Sequence, residues 1–287
     1  ATDIHEMVSE EVGTPAEMLE TAEKKIYALR KGETGESLEH IGTTLHKVFD
    51  RLTELAQSDS AIPGLSTGLR DLDTKINGLN KSDLILVAAR PAMGKSAFAL
   101  NIAVNVAKKY KKTVAVFNLE MSKEQLFNRM LCSEAMLDAQ KVRTGELDDA
   151  DWEKLIRNAG LLAEAPIYID DTPGITPMEM RSKCRKYKQS MGLDLIIIDY
   201  LQLMQSDRRI DNRVQEVAEI SRALKIMAKE LSVPIICCAQ LNRGTESRPG
   251  VGKKPTLADL RDSGSIEQDA DIVLFLYRDE YYKDISG

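Results

Sequence analysis

From residue 60 onward the chain alternates short continuous apolar runs with longer stretches in which apolar positions recur every three or four residues. The runs at Leu84–Ala89, Val114–Asn118, Ile167–Asp170, Leu195–Asp199, Ile235–Ala239 and Ile272–Tyr277 have strand length and are rich in Val and Ile. Continuous rather than alternating apolar character predicts strands covered on both faces, and helices fall between them. The pattern therefore predicts an α/β fold with a mostly parallel sheet flanked by helices. Two helix starts are written out in side chains. Ser122 and Gln125 have capping-box spacing, and Thr176 is followed by Pro177 at N1 and Glu179 at N3.

Before residue 60 the texture differs. Residues 15–31 predict a helix with Pro15 in its first turn and an apolar stripe of Met18, Leu19, Ala22, Ile26 and Leu29. Gly32 and Gly35 end it. A second helix over 37–57 carries Ile41, Leu45, Val48, Phe49, Leu52 and Leu55 on one face. Two such helices cannot bury their stripes alone, so they must dock, either on their own domain or on a neighbouring subunit.

Composition narrows the class. With 287 residues, 43% of them hydrophobic, the chain has material for one large domain or two modest ones and is not wholly disordered. No apolar run approaches the roughly 20 residues needed to span a bilayer. No basic-plus-apolar leader is present at the start, so no membrane association is expected. The four cysteines and three histidines show no metal-ligand spacing; ordinary buried thiols in a reducing cytoplasm are the expectation. Net charge is 39 − 45 = −6, which by itself argues against a nucleic-acid partner. The acidity is local, however. Residues 1–60 hold 6 Lys/Arg against 13 Asp/Glu, and residues 61–287 hold 33 against 32.

The chemistry concentrates at strand ends. Residues 89–96 read Ala-Arg-Pro-Ala-Met-Gly-Lys-Ser between a strand and a helix, a phosphate-binding loop with Ala89 in place of the first Gly. Main-chain N–H groups of Ala92, Met93 and Gly94 and of the helix start would face phosphates. Lys95 would reach the β- and γ-phosphates, and Ser96 would ligate Mg²⁺. Asp199, at the carboxyl end of its strand, suits a second metal-side acid, although a strand-end Asp also caps turns. Glu120 alone could be a solvated loop acid; beside the loop and Asp199 it is the candidate that orients or deprotonates the attacking water. Gln240 could hydrogen-bond the γ-phosphate, or be a plain strand-end amide.

Taken in order, AARPAMGKS, FNLEMS, LIIIDYLQLM, CAQLNRGTESR and LADLRDSGSIEQDADIVLFLYRD resemble the hexameric replicative DNA helicases of the DnaB type. Ala89 in the loop is itself usual there. The resemblance covers residues 60–282, and the helices before them resemble that family's interdomain linker. It implies a RecA-like P-loop ATPase that uses ATP and Mg²⁺. It further implies a homo-hexameric ring that encircles single-stranded DNA and unwinds duplex 5′→3′, with primase and a helicase loader as partners of the full-length protein. By motif position, Lys95, Glu120 and Gln240 are catalytic, Ser96 and Asp199 hold Mg²⁺, and Arg261, Asp262 and Gly264 grip DNA phosphates. Residues 1–12 are expected to be a remnant of an N-terminal domain, 13–59 the linker helices and 60–287 the motor. The family's basic Lys-x-Arg finger does not follow Tyr277, so truncation and less than full hydrolysis are the expectation.

Two basic loops point the same way. Residues 242–254, with Arg243, carry four basic residues and one acid, and 207–213 (DRRIDNR) follow the Asp199 strand. The rival basic stretch 181–188 reads as a solvated helix face. Few aromatics (5%) favour a backbone grip over base stacking.

Overall fold

The computed structural model describes residues 40–57, 62–241, 254–263 and 266–279. The expected helix over 15–31 and residues 1–12 lie outside them. The chain divides into two units, 1–61 and 62–287.

In the first unit, helix α1 (Ile41–Gln57) forms where the periodic stripe predicts it. Ile41, Leu45, Val48, Phe49 and Leu52 of that stripe are all exposed.

The second unit is a six-stranded parallel sheet in the order β3-β2-β4-β5-β1-β6. The strands are β1 (Leu84–Ala89), β2 (Val114–Asn118), β3 (Ile167–Asp170), β4 (Leu195–Asp199), β5 (Ile235–Gln240) and β6 (Ile272–Leu276). All six lie where the apolar runs predict. β5 extends one residue further because Gln240 pairs with Ala89, and β6 stops at Leu276 because Ala89, its partner, ends β1.

Successive strand residues point to opposite faces, and each face is covered. Ile85, Val87 and Ile197 join one core, against helices α3 (Lys95–Tyr110), α4 (Lys123–Ala135) and α6 (Asp149–Ala163). Leu84, Leu86, Ile196 and Ile198 join the other, against α7 (Pro177–Met191) and α8 (Arg213–Leu231). Among the described residues, two short helices complete the set, α2 (Arg70–Ile76) and α5 (Ala139–Thr144), with a further turn α9 (Ile266–Asp269). Every residue of β1, β2 and β4 is buried. At about 1.5–3 kcal/mol for each large aliphatic side chain, these central strands supply much of the stability. Both expected helix starts hold. Ser122–Gln125 and Thr176–Glu179 each form a complete capping box. The four cysteines are buried and unbridged.

Strand register decides which side chains meet at the sheet edge. Ala89 of β1 stands opposite Gln240 of β5, and Asn118 of β2 stands opposite Asp199 of β4. Four strands thus end together at one edge of the sheet, three of them in the polar side chains Asn118, Asp199 and Gln240, where open α/β sheets place their ligands.

Candidate functional site

The main chain turns sharply between β1 and α3. Ala92 and Gly94 both take positive φ (64° and 91°). Glycine adopts this conformation freely, whereas for Ala92 it costs about 1–2 kcal/mol. Gly94 is the N-cap of α3 and offers no side-chain cap, and the helix has no acidic residue in its first turn. The first N–H groups of a 16-residue helix are therefore left facing outward with the positive end of its dipole. A Cβ added at Gly94 would meet nothing within 4 Å. An anion fits there better than any group the protein itself supplies.

Above this helix end lies a polar cavity of about 540 Å³, lined by Ala92, Gly94, Lys95, Ser96, Glu120, Arg129 and Gln240 among others. Residues predicted from three separate motifs thus share one wall. Asp199 sits behind Lys95, only 3% exposed. Its Oδ1 is 3.8 Å from Lys95 Nζ and accepts no hydrogen bond, while its Oδ2 accepts one from Asn118 Nδ2 at 3.3 Å. Lys95 Nζ also lies 4.2 Å from the centre of the Tyr200 ring. Burial, helped by the negative charges of Glu120 and Asp199, pushes the Tyr200 hydroxyl above its ordinary pKa. It stays protonated, and the ring face serves the ammonium.

Glu120 is held from behind. Asn118, 1% exposed, accepts the Glu120 N–H at 3.0 Å and the Met121 N–H at 2.6 Å on its Oδ1. Leu119 N–H donates to Asp199 O at 2.8 Å. The capping box at Ser122 fixes the next turn. The turn that presents Glu120 is thus tied at both ends, with its carboxylate free toward the cavity.

Among the described residues, no three His, Cys, Asp or Glu converge on a metal position. Magnesium does not need such a cage, since it is usually held by one or two protein oxygens, waters and phosphates. The hydroxyl of Ser96 at the helix start and the buried Asp199 Oδ1, which accepts no hydrogen bond, are the right donor types.

Three expected residues are placed less simply. Met93 turns its side chain away from the cavity and buries it with Ala89 against Leu276 and Tyr277, so only its main chain remains for a ligand. Arg261 and Asp262 lie in a 3₁₀ stretch (Leu257–Ser263) anchored by fully buried Leu260. Arg243 and Gly264 lie outside the described residues. The basic loops also divide. Arg208, Arg209 and Arg213 are all exposed, but the Arg213 guanidinium is engaged by Gln202 O at 2.6 Å and by Glu216. In the rival stretch, Arg181 and Arg185 pair with Glu230 and Lys183 with Asp170, which agrees with a solvated helix face.

Motif reading missed Arg129, which reaches the cavity from α4. The signal was present. Ser122, Gln125 and Arg129 are spaced i, i+3, i+7, which puts them on one helix face.

Residues 64–286 match the family described as DnaB-like helicase C terminal domain. The chain is 51% identical over 267 residues to the replicative DNA helicase DnaC of Bacillus subtilis (strain 168), covering 93% of this chain and 58% of that protein. It is also 51% identical over 266 residues to the replicative DNA helicase DnaB of Geobacillus stearothermophilus, again 58% of that protein. The chain therefore spans a little over half the length of these relatives. Among solved structures, one ATPase domain superposes with a TM-score of 0.80 at 38% identity, covering 86% of this chain and 87% of that one. A DnaB-like replicative helicase studied for its interactions with primase gives 0.79 at 34% identity, covering 99% of this chain and 66% of that one.

Proposed function

The chain belongs to the DnaB-like helicase C terminal domain family, and from that premise we propose that it is the ATP-hydrolysing motor of a replicative DNA helicase. In the whole protein the motor forms a homo-hexameric ring in the cytoplasm, encircles single-stranded DNA and unwinds duplex 5′→3′. Primase and a helicase loader are its partners there. The observation that carries the reading is the uncapped, dipole-positive start of α3 sharing one cavity with Lys95, Glu120 and Gln240, with a buried carboxylate oxygen behind it.

Each residue has a distinct task. The N–H groups at the start of α3 take phosphate oxygens. Lys95 exchanges its long contact with Asp199 for the β- and γ-phosphates, a move its ring-face seat on Tyr200 leaves open. Mg²⁺, when bound, supplies charge that neutralises phosphate oxygens, with Ser96 and Asp199 (directly or through water) as the groups to hold it. Glu120 orients the attacking water or takes its proton, Arg129 offers a guanidinium to the transferred phosphate, and Gln240 contacts the γ-phosphate or the water. Arg208, Arg209, Arg243, Arg261, Asp262 and Gly264 are proposed to hold DNA through its backbone without reading bases. The exposed stripe of α1 is proposed to dock on a neighbouring subunit.

The test is ATP hydrolysis by the full-length protein with and without single-stranded DNA. Glu120→Ala should keep ADP affinity within about threefold, while stimulated turnover falls about 10²–10⁴-fold. Turnover surviving in that variant would remove Glu120 from the chemistry.

A further inference from the structure

The strands β4 and β5 are paired as far as Ile198 opposite Cys237. Beyond that point the two chains separate, and Gln240 at the end of β5 keeps a strand neighbour only on its β1 side. Its own N–H and C=O face the β4 side and would be orphaned there. One side chain takes both. Gln202, in the 3₁₀ turn Leu201–Leu203 just after Asp199, accepts the Gln240 N–H on Oε1 at 3.1 Å and donates Nε2–H to the Gln240 C=O at 3.0 Å. A carboxamide has the same donor and acceptor geometry as a peptide group, so Gln202 acts as a one-residue extension of β4. Its own main-chain carbonyl is in turn held by Arg213 at 2.6 Å. Arg213 pairs with Glu216, and Glu216 accepts the Ser206 N–H at 3.2 Å.

The connection thus runs Gln240 main chain, Gln202 side chain, Gln202 main chain, Arg213, Glu216, Ser206. These bonds join a residue lining the phosphate cavity to the base of the loop carrying Arg208 and Arg209. We infer that Gln202 is a positioning residue: its carboxamide fixes the Gln240 main chain, aims the Gln240 side chain into the phosphate cavity, and couples that residue's position to the 204–213 segment. This rests on the reading of Gln240 as a phosphate-contacting residue. Gln202 itself does not line the phosphate cavity.

The experiment uses the full-length protein and compares Gln202→Ala, Gln202→Glu, Gln240→Ala and the Gln202→Ala/Gln240→Ala double variant. ADP affinity is measured with a fluorescent ADP, and ATPase is measured with and without an oligothymidine strand. Gln202→Ala should bind ADP within about twofold of the parent, yet its ratio of stimulated to unstimulated hydrolysis should fall about tenfold. The double variant should be no worse in that ratio than Gln240→Ala, because both changes cut one connection. In Gln202→Glu the carboxylate faces the Gln240 carbonyl with no proton to give. Part-buried and set against the Gln240 carbonyl, that carboxylate is pushed above its ordinary value of about 4.3. Its ratio relative to the parent at each pH should therefore be low at pH about 8 and rise toward pH about 5.5 as protonation begins to restore the donor. A side chain of purely structural value would not produce that profile. An unchanged ratio in Gln202→Ala, or multiplicative losses in the double variant, overturns the inference. If Gln202→Ala does not fold, the pH profile of Gln202→Glu decides alone, and a flat profile overturns it. Full stimulation in Gln240→Ala would instead refute the reading of Gln240 and leave the Gln202 result to be judged by the Gln202 variants.

Discussion

Asn118 is the buried hub that ties Glu120 to Asp199, and removing its side chain separates two effects that usually travel together. Asn118→Ala deletes two hydrogen bonds from the Glu120 and Met121 amides and one donated to the Asp199 carboxylate. Neutral bonds contribute about 1 kcal/mol each and a bond to a charged group about 1.5–3 kcal/mol, with the 3.3 Å length placing this one at the low end. Full loss is then about 3–4 kcal/mol, and water entering the vacated space should reduce it to about 2–3 kcal/mol. Urea unfolding at neutral pH measures that. Kinetically, the Glu120 turn loses its tether while the loop that binds phosphate does not. The expected kcat loss is about 10²-fold, since a displacement of about 1 Å can cost that much, with ADP affinity unchanged within about threefold. A stability loss with intact kcat would show that the tether does not place Glu120, and a loss below about 1 kcal/mol would refute the hydrogen-bond accounting itself. Asn118→Asp sharpens the contrast. It keeps the acceptor for both amides but sets a second carboxylate beside Asp199, so one of the pair is pushed to protonate in the folded state. A raised folded pKa means stability lost as pH rises, so this variant should be weakest in alkaline urea titrations.

Two further outcomes rest on local geometry. Ala92→Val puts a β-branched residue at φ 64° in the phosphate loop and should weaken ADP binding about tenfold, whereas Ala92→Gly should not; equal affinities by titration calorimetry would mean the loop relaxes at no cost. At Asp170, burial raises the carboxyl pKa, but hydrogen bonds from Lys183 and Thr172 outweigh it and the net shift is down. A depressed folded pKa stabilises above the unfolded value near 3.8 and is lost as pH falls through the lower folded value. Lys183→Met should therefore cost stability at pH 7, by less than about 1 kcal/mol for so exposed a lysine. In thermal melts the difference should vanish on acidification, and a difference that grew in acid would reverse the assignment.

What the chain discloses and what it withholds divide along a physical line. Strand positions, capping boxes and the phosphate loop are written in consecutive residues, because apolar runs, Ser-x-x-Gln and a glycine before Lys95 act on their own stretch of backbone. Glu120, Asp199 and Gln240 could be singled out for the same reason, Asp199 and Gln240 ending strands and Glu120 standing two residues past the end of one. Asn118 and Gln202 were not, although both stand inside the quoted motifs. Their work is done on main-chain groups of other strands, and the partner depends on register: Asn118 reaches Asp199 only because β2 and β4 align those residues. Arg213 misled in the opposite direction, for sequence position placed it in a basic loop. The 204–213 segment needs a brace, and Arg213, although exposed, commits its guanidinium to Gln202 O and Glu216. The Met93 side chain anchors its own loop against Leu276 and leaves the main chain for a ligand. Counting charges along a loop therefore overstates what it can offer a phosphate backbone. Of the basic residues in 207–213, Arg213 belongs to the scaffold that links Arg208 and Arg209 to Gln240.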